Sequence, residues 1–167
     1  MTYCWAGTFQ PKNIKMEILV TPVATVRNSR KEPVDDFWGE IISEIVLSDN
    51  VPEEALLGIS GFSHLEIIYY FNKVNDNDVV WSGRPRGNPL YPVSGIFAQR
   101  KKDRPNRIGL CKVELLEQKG KTLLVKNLDA IDGTPVLDIK PCFDEYELKK
   151  PSFQPAWVKD LMKNYWK

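Results

Sequence analysis

The stretch IGLCKVELLEQKGKTLLVKNLDAIDGTPVLDIKP, residues 108–141, decides the fold. It holds three apolar runs, 108–116, 122–128 and 135–140, each of strand length and bounded by Gly, Pro, Asn or Asp. The intervals between them are too short for crossover helices, so successive strands run antiparallel. Asp132-Gly133 followed by Thr134-Pro135 is a strong turn signal between the last two. Working outward, similar runs occupy 18–26, 40–47, 62–71 and 93–98. Only 52–57 and 155–165 read as helix, the latter with Trp157, Val158, Leu161, Met162 and Tyr165 along one face and Pro155 near its first turn. The expected fold is therefore mainly all-β. Closing six or seven short strands into a small antiparallel β-barrel hides their edges and leaves a C-terminal helix outside. The expected organisation is a flexible leader at 1–15, a barrel domain at 16–150 and a helical appendage at 151–167.

A chain of 167 residues, 43% hydrophobic and 27% charged, suits one globular domain with a proper core. No run reaches the length of a membrane span, and the first residues lack the build of a signal peptide, which places the protein in the cytoplasm. Cys4, Cys111 and Cys142 are odd in number and far apart, so they read as reduced thiols, and no zinc spacing or other metal site is present. His64 is the single histidine, and a Ser-His-Asp or Cys-His hydrolase would have to rest on it alone. On its partly alternating strand it reads as a hydrogen-bonded core residue rather than a catalyst.

Charge is local. Arg84, Arg86, Arg100, Lys101, Lys102, Arg104 and Arg107 oppose Asp103 alone, while the whole chain sums to +1. Five of those cations lie in GIFAQRKKDRPNRIGL, residues 95–110. Such a directional field suits an anionic partner, although a solvated basic turn would look the same.

Four further segments carry polar groups among apolar ones. In LDAIDGTPVLDIKP, residues 128–141, Asp129 stands at the end of an apolar strand where a tight turn does not require a carboxylate, a position suited to ligand hydroxyls or amines. Asn72 and Lys73 follow the strand FSHLEIIYYF and suit a pocket rim. The loop RNSRKEPVDDFWGE closes on Phe37-Trp38, an aromatic pair that packs on the core, stacks on a nucleobase or faces a cation. WSGRPRGNPLYP is a Pro- and Gly-rich loop of the kind that orders on binding.

Taken in order, VATVRNSRKE, FSHL, GIFAQR, RPNRIGL and LDAIDGTPVLDIKP resemble the TrmO family, also called TsaA-like proteins, over residues 18–143. The resemblance implies a small antiparallel β-barrel methyltransferase that uses S-adenosylmethionine (SAM). It further implies a homodimer that methylates N6 of threonylcarbamoyl-adenosine beside the anticodon of tRNA. Carried over by motif, Arg100, Leu110 and the segment Asp129, Ala130, Ile131 and Asp132 would line the SAM site, with Asn72 and Lys73. Phe37 and Trp38 correspond to a further segment that touches the cofactor, although DDFWG replaces an Arg-Gln-Pro-Gly-like stretch. Asp129 or Asp132 would take the polar end of SAM, backbone groups around Ala130 and Ile131 its adenine, and Arg104, Asn106 and Arg107 the RNA phosphates or the acceptor's carboxylate. Two other readings stay open: a non-catalytic RNA-binding β-barrel, and a SAM-dependent methyltransferase acting on another substrate.

Overall fold

The computed structural model describes residues 16–167. The expected leader at 1–15 lies outside them. Six strands close into an antiparallel barrel in the order β1 (Ala24–Arg27), β2 (Ile42–Leu47), β7 (Thr122–Lys126), β6 (Ile108–Lys119), β3 (His64–Tyr70) and β8 (Pro135–Pro141), with β8 returning to β1. Two short strands, β4 (Ser82–Gly83) and β5 (Ser94–Gly95), pair apart from the barrel.

Alternation sets what faces inward. Leu65, Ile67 and Tyr69 of β3 point into the barrel with Cys111 and Val113 of β6, Leu123 and Val125 of β7, Ile45 of β2, Val26 of β1 and Val136 of β8. Each such aliphatic side chain contributes about 1.5–3 kcal/mol by leaving water, and Leu56, Leu128 and Ala130 from outside the strands complete the core. A register shift between Ile68 and Tyr69 sets Tyr69 opposite Val136, at the end of the barrel where β3 exits and β6 begins. Gly109 faces the Tyr69 ring across the β3–β6 ladder, and a Cβ there would sit 2.4 Å from the ring. That close approach lets a tyrosine fill the barrel end.

Five expectations change. The run 18–26 becomes a strand only from Ala24, because Pro22 offers no ladder donor, and Ile18 and Leu19 are exposed. The run 93–98 is a two-residue strand followed by a 3₁₀ turn at Ile96–Ala98, held by the Gln99 side chain on the carbonyls of Gly83 and Ser94 at 3.0 and 2.9 Å. His64 is exposed rather than in the core, its ring 2.9 Å from Ser63 Oγ. Helix α1 spans Ala156–Leu161, shorter than the apolar face suggested, and the segment 52–57 forms only a 3₁₀ turn at Glu53–Leu56. Among the described residues, no helix is long and apolar enough to cross a membrane.

Candidate functional site

Several of the residues singled out above meet at the barrel end marked by Tyr69. The connection from β7 to β8 crosses this end, and the Tyr69 hydroxyl donates to the Asp129 carbonyl at 2.5 Å, which fixes the backbone there. Asp129 itself is largely buried, and burial raises its carboxyl to about 6 even though a hydrogen bond from Tyr165 and the positive charge of Arg100 pull it down. Arg100, from the basic loop, donates to the Leu110 carbonyl at the start of β6. Arg100 and Asp129 thus share one end of the barrel, as the convergence of the two motifs requires. Cys111 lies just inside, its thiol pushed up to about 11 by burial and donating to the Asn127 carbonyl at 3.1 Å.

The segment after β1 clasps the same connection. The Asn28 side chain donates to the Ala130 carbonyl at 2.9 Å, and its backbone N–H donates to Asp132 at 3.1 Å. Lys31 pairs with Asp132 at 2.6 Å, which lowers that carboxyl below its ordinary value. Lys73 reaches the Lys31 carbonyl at 2.9 Å, so the rim after β3 joins this network, and Asn72 beside it is exposed. Among the described residues the N–H groups of Ala130 and Ile131 donate no hydrogen bond.

Trp38 is buried at 3% exposure, whereas its neighbour Phe37 is 55% exposed. Arg30 lies 4.6 Å over the Trp38 ring and donates to the Phe37 carbonyl at 2.6 Å, and its charge also bears on Asp129. Arg86 grips Asp36 with two nitrogens at 2.8 and 3.0 Å, tying the Pro- and Gly-rich loop to this one. The C-terminal segment closes the group, with Phe37 and Trp38 N–H donating to the carbonyls of Asn164 and Tyr165 at 3.2 and 2.8 Å. Sequence reasoning missed Arg30 and Tyr165 as members of this site. Arg30 stands in a motif already singled out, and its spacing from Trp38 carries no direct signal.

Asp132 is set apart from Asp129. It lines an open cleft of about 570 Å³ with Thr25, Arg27, Asn28, Lys31 and Glu44, in which neither Asp129 nor Arg100 takes part. The basic loop is mostly engaged within the fold. Arg107 donates to the Val74 carbonyl at 2.7 Å and lies 4.9 Å over the Tyr70 ring, Arg104 reaches the Gln99 carbonyl at 3.3 Å, and Lys101 pairs with Asp103 at 3.0 Å. Asn106 is exposed, and Leu110 is 43% exposed. Among the described residues no cluster of His, Cys, Asp and Glu could hold a metal ion.

Comparison with known proteins gives this geometry a context. The chain is 39% identical over 135 residues to a probable S-adenosyl-L-methionine-binding protein of Methanothermobacter thermautotrophicus, covering 79% of this chain and 95% of that protein. It is 35% identical over 116 residues to the human tRNA (adenine(37)-N6)-methyltransferase, covering 69% of this chain but only 26% of that enzyme. A crystal structure of TrmO from P. aeruginosa superposes with a TM-score of 0.70 at 25% identity, over 87% of this chain and 64% of that one. The chain thus spans nearly all of the archaeal protein and about a quarter of the human enzyme. Residues 26–148, which carry every strand of the barrel except the start of β1 together with Arg100 and Asp129, match the tRNA-methyltransferase O N-terminal domain, and the chain belongs to that family.

Proposed function

We propose that the chain is an S-adenosylmethionine-dependent methyltransferase that acts on N6 of threonylcarbamoyl-adenosine beside the anticodon of tRNA. The observation that carries this reading is a largely buried carboxylate, Asp129, lying within the field of the fixed guanidinium of Arg100 at one end of a barrel of this family. The donor set fits the cofactor. Asp129 accepts from hydroxyl or ammonium donors, the unpaired N–H groups of Ala130 and Ile131 suit an adenine's acceptors, and Leu110 and Phe37, both exposed, provide apolar walls, with Trp38 packed behind. Arg100, Asn72 and Lys73 orient the ligand at the rim, and Asp132 with Lys31 borders the approach. When bound, SAM supplies a methyl group already activated on a sulfonium.

The chain's own residues position the reactants, and well-oriented reactants gain roughly 7–11 kcal/mol. Arg107 and Arg104 brace the basic loop through the carbonyls they hold, while the exposed Lys101 and Lys102 present positive charge to RNA phosphates and Asn106 offers them an uncharged donor. The exposed Phe37 ring suits stacking with a splayed base. The protein acts in the cytoplasm as a homodimer, for which the exposed Trp81, Leu90, Val93 and Phe97 offer apolar surface.

Calorimetry tests the cofactor site. Asp129→Ala and Arg100→Ala each weaken SAM binding at least about tenfold, the scale of a hydrogen bond to a charged group. If both bind SAM as the parent does, the assignment is wrong. Mass spectrometry of anticodon-loop nucleosides from a deletion strain tests the substrate: loss of the N6-methyl form is expected, and an unchanged nucleoside pool transfers the activity to another acceptor.

A further inference from the structure

The segment that closes the site lies beyond the family match, which ends at residue 148. Five contacts fix it. Tyr91 donates to the Asp160 carboxylate at 2.6 Å and its ring packs 6.0 Å from that of Trp157. The N–H groups of Phe37 and Trp38 hold the carbonyls of Asn164 and Tyr165, and Gly39 lies so close that a Cβ would stand 2.0 Å from the Trp166 carbonyl oxygen. The Tyr165 ring, held edge-on to Trp166 with centroids 4.9 Å apart, is thereby aimed so that its hydroxyl donates to Asp129 Oδ2. Asp129 Oδ1 takes no hydrogen bond among the described residues, nor is it sealed off, since the one buried unpartnered side-chain atom among them is Ser94 Oγ. One carboxylate oxygen is pinned while the other stays open.

We infer that Tyr165 is the positioning residue of the cofactor site: its hydroxyl holds Asp129 Oδ2 so that Oδ1 is presented to a donor of the cofactor. The inference rests on the reading of Asp129 as a cofactor ligand. Burial and the neighbouring carboxylate push the Tyr165 phenol far above its ordinary value, so it remains a donor throughout the neutral range. The groups that bear on Asp129 are Tyr165 from the tail, Arg100 from the basic loop, Arg30 and Asp35 from the loops after β1, Tyr69 from β3 and Cys111 from β6. Of these, Tyr165 is the one that hydrogen-bonds its carboxylate.

The test uses the full chain and the variant Tyr165→Phe, which keeps the ring and its packing. SAM affinity at pH 7.5 is expected to fall about tenfold. The acid limb of affinity against pH should also move upward by about half a unit or more, because a donor that favours the carboxylate is gone. In the protein without SAM, the pH range over which ionisation of Asp129 erodes thermal stability should move the same way. On an Asp129→Asn background, Tyr165→Phe should add no further loss of affinity, a non-additivity that a purely structural tyrosine does not produce. Unchanged affinity and pH profile in Tyr165→Phe, or an equal loss on both backgrounds, overturns the proposal. Parent-like SAM binding by Asp129→Ala would instead overturn the reading on which it rests.

Discussion

Asp129 is under opposed influences: burial favours its protonated form, while Tyr165 and Arg100 favour the carboxylate, and burial prevails. The sign of the consequence follows from linkage. An unfolded Asp titrates near pH 4, whereas the folded group titrates at about 6, so stability falls as pH rises between those values. Above pH 6 the loss stands at about 2–3 kcal/mol. Asp129→Asn removes it. We expect urea denaturation to show the variant more stable than the parent at pH 7.5 by up to that amount, with the difference vanishing near pH 4, while SAM binding is weakened about tenfold. Equal stability at both pH values would show that burial does not control this carboxyl. At this scale Asp129 was legible, because a carboxylate ending an apolar strand with no turn to serve is conspicuous. Tyr165 was legible only as one of five residues on an apolar face. An amphipathic face announces that it is buried but not against what, and nothing near residue 165 encodes a partner 36 positions away.

At the scale of elements, two glycines govern the site without touching a ligand. Gly109 admits the Tyr69 ring, and Gly39 admits the tail. Gly109→Ala forces a fully packed ring aside in a core with no slack, and a cost of about 1–3 kcal/mol with a lowered Tm is expected. Because the Tyr69 hydroxyl fixes the Asp129 carbonyl, SAM affinity should fall with it. Gly39→Ala collides with backbone rather than with a flexible side chain and should undock the tail, lowering SAM affinity as Tyr165→Phe does while leaving the barrel's far-ultraviolet circular dichroism intact. A Gly39→Ala protein that binds SAM normally would show that the docked tail is dispensable.

The strands of the opening stretch were readable because each is an apolar run of strand length that ends at a turn former. The runs 18–23 and 93–98 misled because apolar composition alone says nothing about Pro22 within a ladder or about a polar side chain, Gln99, that bends the chain back on itself. The pairing order of the barrel was not readable, since β6 lies between β3 and β7 through contacts far apart in sequence.

Across the whole molecule, a net charge of +1 hides a division of labour. The arginines of the basic loop hold carbonyls and aromatic rings of the fold, whereas Lys101 and Lys102 are exposed. Lysines of this kind contribute field rather than architecture. The double variant Lys101→Glu, Lys102→Glu should therefore keep the parent's SAM affinity, with a slightly lowered Tm from like charge against Asp103, while weakening tRNA binding and flattening its dependence on salt by roughly one to two in log–log slope. A salt slope equal to the parent's would place the RNA surface elsewhere. The thiol of Cys111 sits immediately behind Asp129 with its ionisation suppressed to about 11. Once Cys4 and Cys142 are replaced by serine, alkylation of the remaining sulfur can proceed only when this end of the barrel breathes, which equips the protein with an internal chemical clock for how often the mouth beneath the tail comes open.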